Sequence, residues 1–84
     1  MGMFQINENV QVPTGILIAD GFDEAAVGYT TTSDGSEHVI YDYNKCTSIL
    51  IKENGWTYEE AAEWMDFNVI SAYVGENTPL WMFT

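Results

Sequence analysis

The chain contains no arginine and only two lysines, against thirteen aspartate and glutamate residues in 84, which leaves a formal net charge of −11 at pH 7. Without arginine it lacks the planar guanidinium that binds phosphate or carboxylate through two parallel hydrogen bonds. So acidic a surface repels nucleic acid and anionic membranes and attracts basic partners. We therefore expect a protein partner with a basic surface, and no direct contact with nucleic acid or membrane.

Cysteine and long apolar runs are also scarce. Cys46 is the only cysteine, so neither an internal disulfide nor a cysteine cluster for a metal can form. No stretch approaches the run of about 20 apolar residues that spans a membrane, and the first residues lack the basic start and apolar run of a signal peptide. These absences favour a reducing compartment. We expect a cytoplasmic protein with no metal and no other cofactor.

The apolar content predicts a folded core. The chain is 46% hydrophobic and 14% aromatic, too apolar for a disordered protein of high net charge. Residues 1–14 are rich in Asn and Gln and contain Pro13, which is typical of a loosely ordered segment. We predict that a single domain follows over residues 15–84.

Two apolar segments at opposite ends of this domain are predicted to be strands. Residues 15–19 form a short, β-branched run that ends at an Asp-Gly pair typical of a turn. Leu80 to Phe83 carries neither charge nor alternation, which predicts a strand covered on both faces. Such a strand would promote aggregation at an open sheet edge, so we expect it at the centre of the sheet of a monomer. Pairing with a second copy, as a homodimer, is the alternative.

A β-hairpin is predicted between these two strands. Residues 27–32 and 37–41 are rich in β-branched and aromatic side chains and flank the Ser-Asp-Gly-Ser sequence of residues 33–36. Asp-Gly favours a two-residue type I′ turn, which would pair Thr31 with His38.

Two helices follow the hairpin. The first is predicted over residues 43–54, between an Asp42 N-cap and a left-handed Gly55. The second begins at the Thr-Tyr-Glu-Glu capping box of residues 57–60 and continues an apolar stripe as far as Gly75. The whole pattern predicts an α+β fold, in which a small antiparallel sheet packs against a two-helix hairpin.

A string of local patterns resembles a family of small bacteriophage and prophage proteins. The resemblance extends over residues 16–82 and implies a phage setting without a settled activity or agreed catalytic residues. The patterns that carry it are Asp20 to Ala25, Tyr41 to Cys46, Ile49-Leu50, Tyr58 to Ala61, Phe67 to Val69 and Ala72 to Pro79.

Residues with catalytic or metal-binding potential are few. His38 and Cys46 would form a nucleophilic pair only if the fold brought them together. We expect instead an exposed strand histidine and a cysteine packed as a small hydrophobic residue, and therefore no enzyme. Asp20, Asp23 and Glu24 lack the ligand spacing of an EF-hand loop and are typical of a solvated turn. We retain these three carboxylates as candidate partner contacts.

The strongest candidate for binding is an acidic set on the second predicted helix, Glu59, Glu60, Glu63 and Asp66. Spacings of four and three residues place Glu59, Glu63 and Asp66 along one side. They extend over about 10 Å, comparable in scale with neighbouring phosphates of a nucleic-acid strand. An acidic stripe is equally typical of a solvated helix face, and carboxylates in the first turn also complement the helix dipole.

Three further residues have ambiguous roles. Asn68 is predicted on the apolar face of the second helix, where we expect its amide to pair with backbone groups of a neighbouring loop rather than with a partner. Trp64 and Trp81 are predicted to lie in the core.

These observations predict a small acidic phage protein that binds and inhibits or modulates a basic host or defence protein. Its carboxylates would stand in for phosphates, as in a nucleic-acid mimic of the anti-CRISPR or anti-restriction class. The alternative is a structural or homo-oligomeric phage accessory protein whose acidity serves only solubility. Electrostatic capture would weaken steeply with rising ionic strength, whereas apolar self-assembly would not.

Overall fold

The computed structural model describes residues 2–70 and 77–83 and has the predicted α+β class. Within these residues the strands β1 to β5 form a two-stranded and a three-stranded sheet, which pack with two helices, α1 and α2. The strands are Met3–Asn7, Val10–Pro13, Ala26–Thr31, Glu37–Asp42 and Leu80–Met82, and the helices are Tyr43–Asn54 and Tyr58–Met65. A 3-10 turn, Asp23–Ala25, precedes β3, and a π-helical turn, Asp66–Ile70, follows α2.

β1 and β2 form an antiparallel hairpin, so the prediction of a loosely ordered segment is wrong for residues 3–13. Val10 and Val12 are buried, Val12 completely. Asn7 Oδ1 accepts a hydrogen bond from Asn9 N at 2.9 Å and thereby stabilises the turn between the strands. The polar composition of the segment concealed the alternation of valine with polar residues along β2, which is the pattern of a half-buried strand.

Residues 15–19, predicted as a strand, lie instead in an irregular connection between β2 and the 3-10 turn. Ala19 N donates a hydrogen bond to the Tyr41 hydroxyl at 2.8 Å. In a sheet this backbone N–H would donate to a neighbouring strand, but here a side chain accepts its hydrogen bond. Gly15 and Gly21 have φ values of 93° and 90°, a conformation that breaks an extended chain at both ends of the segment. Ile16, Ile18 and Ala19 pack against the core without strand geometry, whereas Leu17 is exposed.

β3 and β4 form the predicted antiparallel hairpin, but in a register one residue away from the predicted one. Thr31 pairs with Glu37, one residue earlier on β4 than expected. Asp34 Oδ1 accepts hydrogen bonds from the Thr32 hydroxyl at 2.6 Å and from Ser36 N at 3.0 Å. These bonds hold a connection longer than a two-residue turn, and loop length sets hairpin register.

α1 begins and ends at the predicted residues. Asp42 Oδ1 accepts hydrogen bonds from Asn44 N at 2.9 Å and from Lys45 N at 3.3 Å. Gly55 ends the helix in the left-handed conformation, with a φ of 70°. Both signals are local, because a cap needs only its own turn of helix.

α2 begins at the predicted capping box but ends early. The side chains of Thr57 and Glu60 each accept a hydrogen bond from the other residue's backbone N–H. The α-helix ends at Met65 and gives way to the π-helical turn, so an unbroken α-helix is wrong for residues 66–70. The predicted continuation over residues 71–75 lies outside the described residues.

β5 lies at an edge of the three-stranded sheet, whose order is β3-β4-β5. It pairs with β4 in parallel, so the predictions of an antiparallel sheet and of a central C-terminal strand are wrong. The chain crosses from β4 to β5 by way of the helices, and such a crossover produces a parallel pair. Leu80 and Met82 are 38% and 37% exposed, whereas Trp81 packs against the core. The strand is therefore not covered on both faces.

The core lies where β2, β4, α1 and α2 meet. Its largest fully buried side chains are Tyr41, Met65, Val12, Val39, Thr47 and Cys46. Because Ala61 and Met65 hold one side of α2 in this core, the opposite side of that helix faces solvent.

Candidate protein-binding site

The four carboxylates predicted on the second helix lie on its solvent side. Glu59, Glu60 and Glu63 on α2 are exposed, and so is Asp66 at the start of the π-helical turn. The acidic side expected from helical spacing is therefore an exposed face of the protein. Its role in binding stays a prediction.

Two of these carboxylates share a surface groove with aromatic rings. The groove has a volume of about 290 Å³. We call it the acidic–aromatic groove, and its lining residues are Trp56, Glu60, Glu63, Trp64, Phe67 and Asn68. The ring centroids of Trp56 and Trp64 are 6.3 Å apart with planes inclined by 45°, and Phe67 is 76% exposed. A site that combines anionic oxygens with aromatic faces suits a cationic side chain.

The capping box orients one of the groove's carboxylates. Thr57 N donates to Glu60 Oε1 at 2.9 Å, and Glu60 N donates to Thr57 Oγ1 at 3.2 Å. Because the helix terminus already restrains this side chain, a cation that pairs with its carboxylate costs less conformational entropy.

A second cavity, of about 240 Å³, adjoins the groove at Trp64 and Asn68, which line both. We call it the apolar cavity, and its other walls include Ile18, Asp20, Phe22, Val69, Pro79 and Trp81. It is smaller than the range of about 300 to 1,000 Å³ typical of small-molecule sites, so its size fits a single apolar side chain.

Asn68 and Trp64 lie at the surface, contrary to prediction. Asn68 is exposed, and its Nδ2 donates to Trp64 O at 3.1 Å, so the predicted pairing with a neighbouring loop is wrong. Trp64 is 36% exposed and borders both hollows, whereas Trp81 packs against the core as predicted. The π-helical turn explains the altered position of Asn68, because its wider hydrogen-bond spacing changes the direction in which successive side chains leave the helix.

The structure brings together a different pair of carboxylates from the stripe predicted by helical spacing. Glu63 lines the groove with Glu60, whereas Glu59 is exposed outside it. Asp66 lies toward Tyr43, where burial raises the pKa of the tyrosine and the charge of Asp66 raises it further. Glu60, Glu63, Trp64 and Phe67 follow the spacing of one helix face, so helical periodicity could have grouped Glu60 with these rings. Only Trp56, which comes from the connection between the helices, lies outside that pattern.

The second predicted acidic set, Asp20, Asp23 and Glu24, does not form one site with α2. All three are exposed. Asp20 lines the apolar cavity, whereas Asp23 and Glu24 line another hollow beside Lys52. Among the described residues, no group of three or more His, Cys, Asp or Glu side chains has an arrangement that holds a metal ion.

His38 is buried, and the prediction of an exposed histidine is wrong. It is 8% exposed, because β4 is the central strand, and its Nδ1 donates to Thr78 O at 2.7 Å, since a carbonyl only accepts. Cys46 is fully buried, as predicted for a small hydrophobic residue. Burial, with a smaller contribution from the charge of Asp42, raises its pKa to about 12, so the thiol stays protonated at neutral pH.

No family model, curated protein or solved structure matches this chain. Within residues 2–70 and 77–83, the structure contains no helix with the length and apolarity needed to cross a bilayer.

Proposed function

We propose that this protein binds a basic surface of another protein through the solvent side of α2. The observation that carries the proposal is the acidic–aromatic groove, where Glu60 and Glu63 share walls with aromatic rings. Carboxylates attract lysine and arginine at a distance, and tryptophan faces attract the same cations at contact. The groove combines both interactions for one cationic side chain.

The distribution of charge along the chain supports the same surface. Lys45 and Lys52, the only basic residues apart from the single histidine, both lie on α1. From residue 53 onward the chain carries acidic residues and no lysine or arginine. α2 itself therefore carries carboxylates with no lysine or arginine to offset them, so the helix contributes to an acidic field that attracts a basic partner and that salt screens.

The partner that we propose is a host or defence protein, in keeping with the phage setting implied by the resemblance. Enzymes that act on nucleic acid present basic surfaces to the phosphate backbone. Exposed carboxylates at Glu59, Glu63 and Asp66, spread over about 10 Å, would occupy such a surface in place of phosphates. Anti-CRISPR and anti-restriction proteins belong to this class. The protein would act in the host cytoplasm by occupation, without catalysis.

Charge reversal at two exposed carboxylates tests this proposal. A pull-down from the host identifies a basic protein, and calorimetry with that purified protein then gives the dissociation constant. We expect Glu59→Lys combined with Glu63→Lys to abolish binding, and binding of the unaltered protein to weaken by about tenfold or more as salt rises from about 50 to about 300 mM.

The matched control is Glu8→Lys combined with Glu53→Lys. Both residues are exposed and lie outside α2, and the change in net charge is the same. Circular dichroism checks that each double variant keeps its helices. Equal binding by the two double variants would show that α2 is not the interface.

A specific observation also favours the second candidate, a structural or homo-oligomeric role. Leu80 and Met82 are exposed on β5, and that strand lies at a sheet edge. An apolar edge strand is a template for pairing with another chain. In that case the acidity serves only solubility, and assembly is insensitive to ionic strength.

A further inference from the structure

We infer that the partner segment presents an arginine beside a large apolar side chain, with the arginine in the acidic–aromatic groove and its neighbour in the apolar cavity. This inference rests on the proposed function and adds the chemistry of the partner. It follows from the two residues, Trp64 and Asn68, that line both hollows. Hollows with a common wall are adjacent, so one short segment reaches both.

The groove fits arginine better than lysine. Glu60 and Glu63 offer carboxylate oxygens to the fork of guanidinium N–H groups, and the indoles of Trp56 and Trp64 offer faces on which the planar group stacks. Lysine carries a compact ammonium, which a ring face attracts but which cannot stack on that face or present a planar fork to the carboxylates.

Asn68 supplies a polar atom at the border between the two hollows. Its Nδ2 is engaged with Trp64 O at 3.1 Å. That bond does not use the amide oxygen Oδ1, which accepts hydrogen bonds. A segment that crosses from one hollow to the other carries backbone N–H groups past this position, and Oδ1 is a suitable acceptor for one of them.

The apolar cavity is preorganised for its occupant. Trp81 forms one wall, and its indole stacks on Tyr41 with centroids 5.1 Å apart and meets Phe22 edge to face at 6.5 Å. A wall fixed by two ring contacts loses little freedom when a ligand binds. The cavity volume of about 240 Å³ fits leucine or phenylalanine. Asp20 lies on the lining of this cavity, so the segment also meets a carboxylate there.

A panel of capped heptapeptides tests the inference with the whole 84-residue chain. The first peptide carries arginine and leucine two positions apart in a glycine background, because alternate residues of an extended chain point to the same side. In the others, serine replaces the leucine, serine replaces the arginine, or lysine replaces the arginine. Titrations followed by two-dimensional NMR give the dissociation constant of each and map the contacts, including the indole N–H signals.

We expect the arginine–leucine peptide to bind about tenfold more tightly than the peptide with serine in place of leucine, as burial of one aliphatic side chain implies. The peptide with serine in place of arginine should also bind more weakly, because it loses the contacts with the carboxylates and the rings. The lysine peptide should bind more weakly than the arginine peptide. The signals of Trp64, Asn68 and Trp81 should shift together with the arginine–leucine peptide. Without the leucine, the Trp81 shift should be lost.

Two variants, each with one carboxylate neutralised, distinguish the contribution of the groove to binding from that of the overall negative charge. Glu63→Gln and Glu59→Gln change net charge equally on the same helix, but only Glu63 lines the groove. We expect Glu63→Gln to weaken binding of the arginine–leucine peptide severalfold. Glu59→Gln should leave the affinity for that peptide nearly unchanged. Equal affinities for the arginine–leucine and arginine–serine peptides would overturn the inference and leave the proposed function standing. Failure of every arginine peptide to bind would contradict both the inference and the proposed function.

Discussion

The indole of Trp81 stacks on the phenol ring of Tyr41, with ring centroids 5.1 Å apart and planes inclined by 28°. Tyr41 is fully buried on the central strand β4, and its hydroxyl accepts a hydrogen bond from Ala19 N at 2.8 Å. One core side chain therefore fixes both the edge strand β5 and the irregular segment that precedes the 3-10 turn. Ala19 and Trp81 both line the apolar cavity, so the same contact shapes the candidate site.

Removal of the Trp81 ring should destabilise the protein strongly. We expect Trp81→Ala to lower the free energy of unfolding by about 3 kcal/mol, because it leaves a cavity against Tyr41 and Phe22. Chemical denaturation followed by circular dichroism measures the loss. Trp81→Phe keeps a ring at the position and should cost less than half as much. A loss below about 1 kcal/mol for alanine would mean that β5 is not docked on the core.

The start of α2 should depend on the hydroxyl of Thr57. We expect Thr57→Ala to destabilise the protein by about 1 kcal/mol, because the backbone N–H of Glu60 loses its acceptor. Thr57→Ser retains the hydroxyl and serves as the control. Thermal denaturation decides the matter, since an unchanged midpoint in the alanine variant would show that the cap does not hold the helix.

The β3–β4 turn should respond to acid through Asp34. Hydrogen bonds from the Thr32 hydroxyl and then the Ser36 backbone lower the pKa of this carboxyl from 3.8 to about 2. A carboxyl group whose pKa is lower in the folded than in the unfolded protein stabilises the folded state when the pH is above the unfolded pKa. This stabilisation is lost as the pH falls from about 4 toward about 2.

A carboxyl-carbon NMR titration measures the pKa of Asp34 directly. Asp34→Asn keeps a side-chain oxygen that accepts hydrogen bonds but has no ionisable group. The NMR signals of the turn should therefore no longer move over this pH range. A midpoint at the ordinary value of 3.8 in the unaltered protein would contradict the observed hydrogen bonds.

The edge position of β5 alters the expected state of association. The expectation of a monomer depended on a central C-terminal strand, and β5 is at an edge with Leu80 exposed. We expect weak, concentration-dependent dimerisation, because the strand is only three residues long and short edges pair poorly. Light scattering over a dilution series measures it.

Leu80→Lys should abolish this dimerisation without unfolding the protein. Met3→Lys, at a more exposed residue of β1, is the matched control and should have no effect. A molar mass that equals that of the monomer at all concentrations would rule out β5 as a subunit interface. A Leu80→Lys variant that still dimerises would mean that the interface lies elsewhere.

The acidic–aromatic groove was only partly predictable. Helical spacing correctly placed Glu63 on the solvent side of α2. Trp64 was assigned to the core because tryptophans usually build the core of so small a domain, although Glu60, Glu63, Trp64 and Phe67 follow the spacing of one helix face. Trp56 joins them because the chain turns between the helices, and a turn leaves no periodic pattern.

Local sequence signals specify the features whose hydrogen bonds close within one turn of chain. Asp42 caps α1, Gly55 ends it, and Thr57 with Glu60 opens α2. The location of the β3–β4 hairpin belongs with them, because Asp34 and Gly35 specify a turn locally. Each of these signals acts between residues at most a few positions apart.

Long-range packing, by contrast, selects which apolar segments become strands and where each strand lies. Residues 3–13 pair as a hairpin and residues 15–19 do not, although the latter are the more apolar. β4 took the centre of the three-stranded sheet, which buried His38 and left Leu80 at an edge. The partners β4 and β5 are distant in sequence, and more than one pairing of the apolar segments satisfies the same local propensities. The choice among them depends on which arrangement buries the most apolar surface while every buried polar group keeps a hydrogen bond.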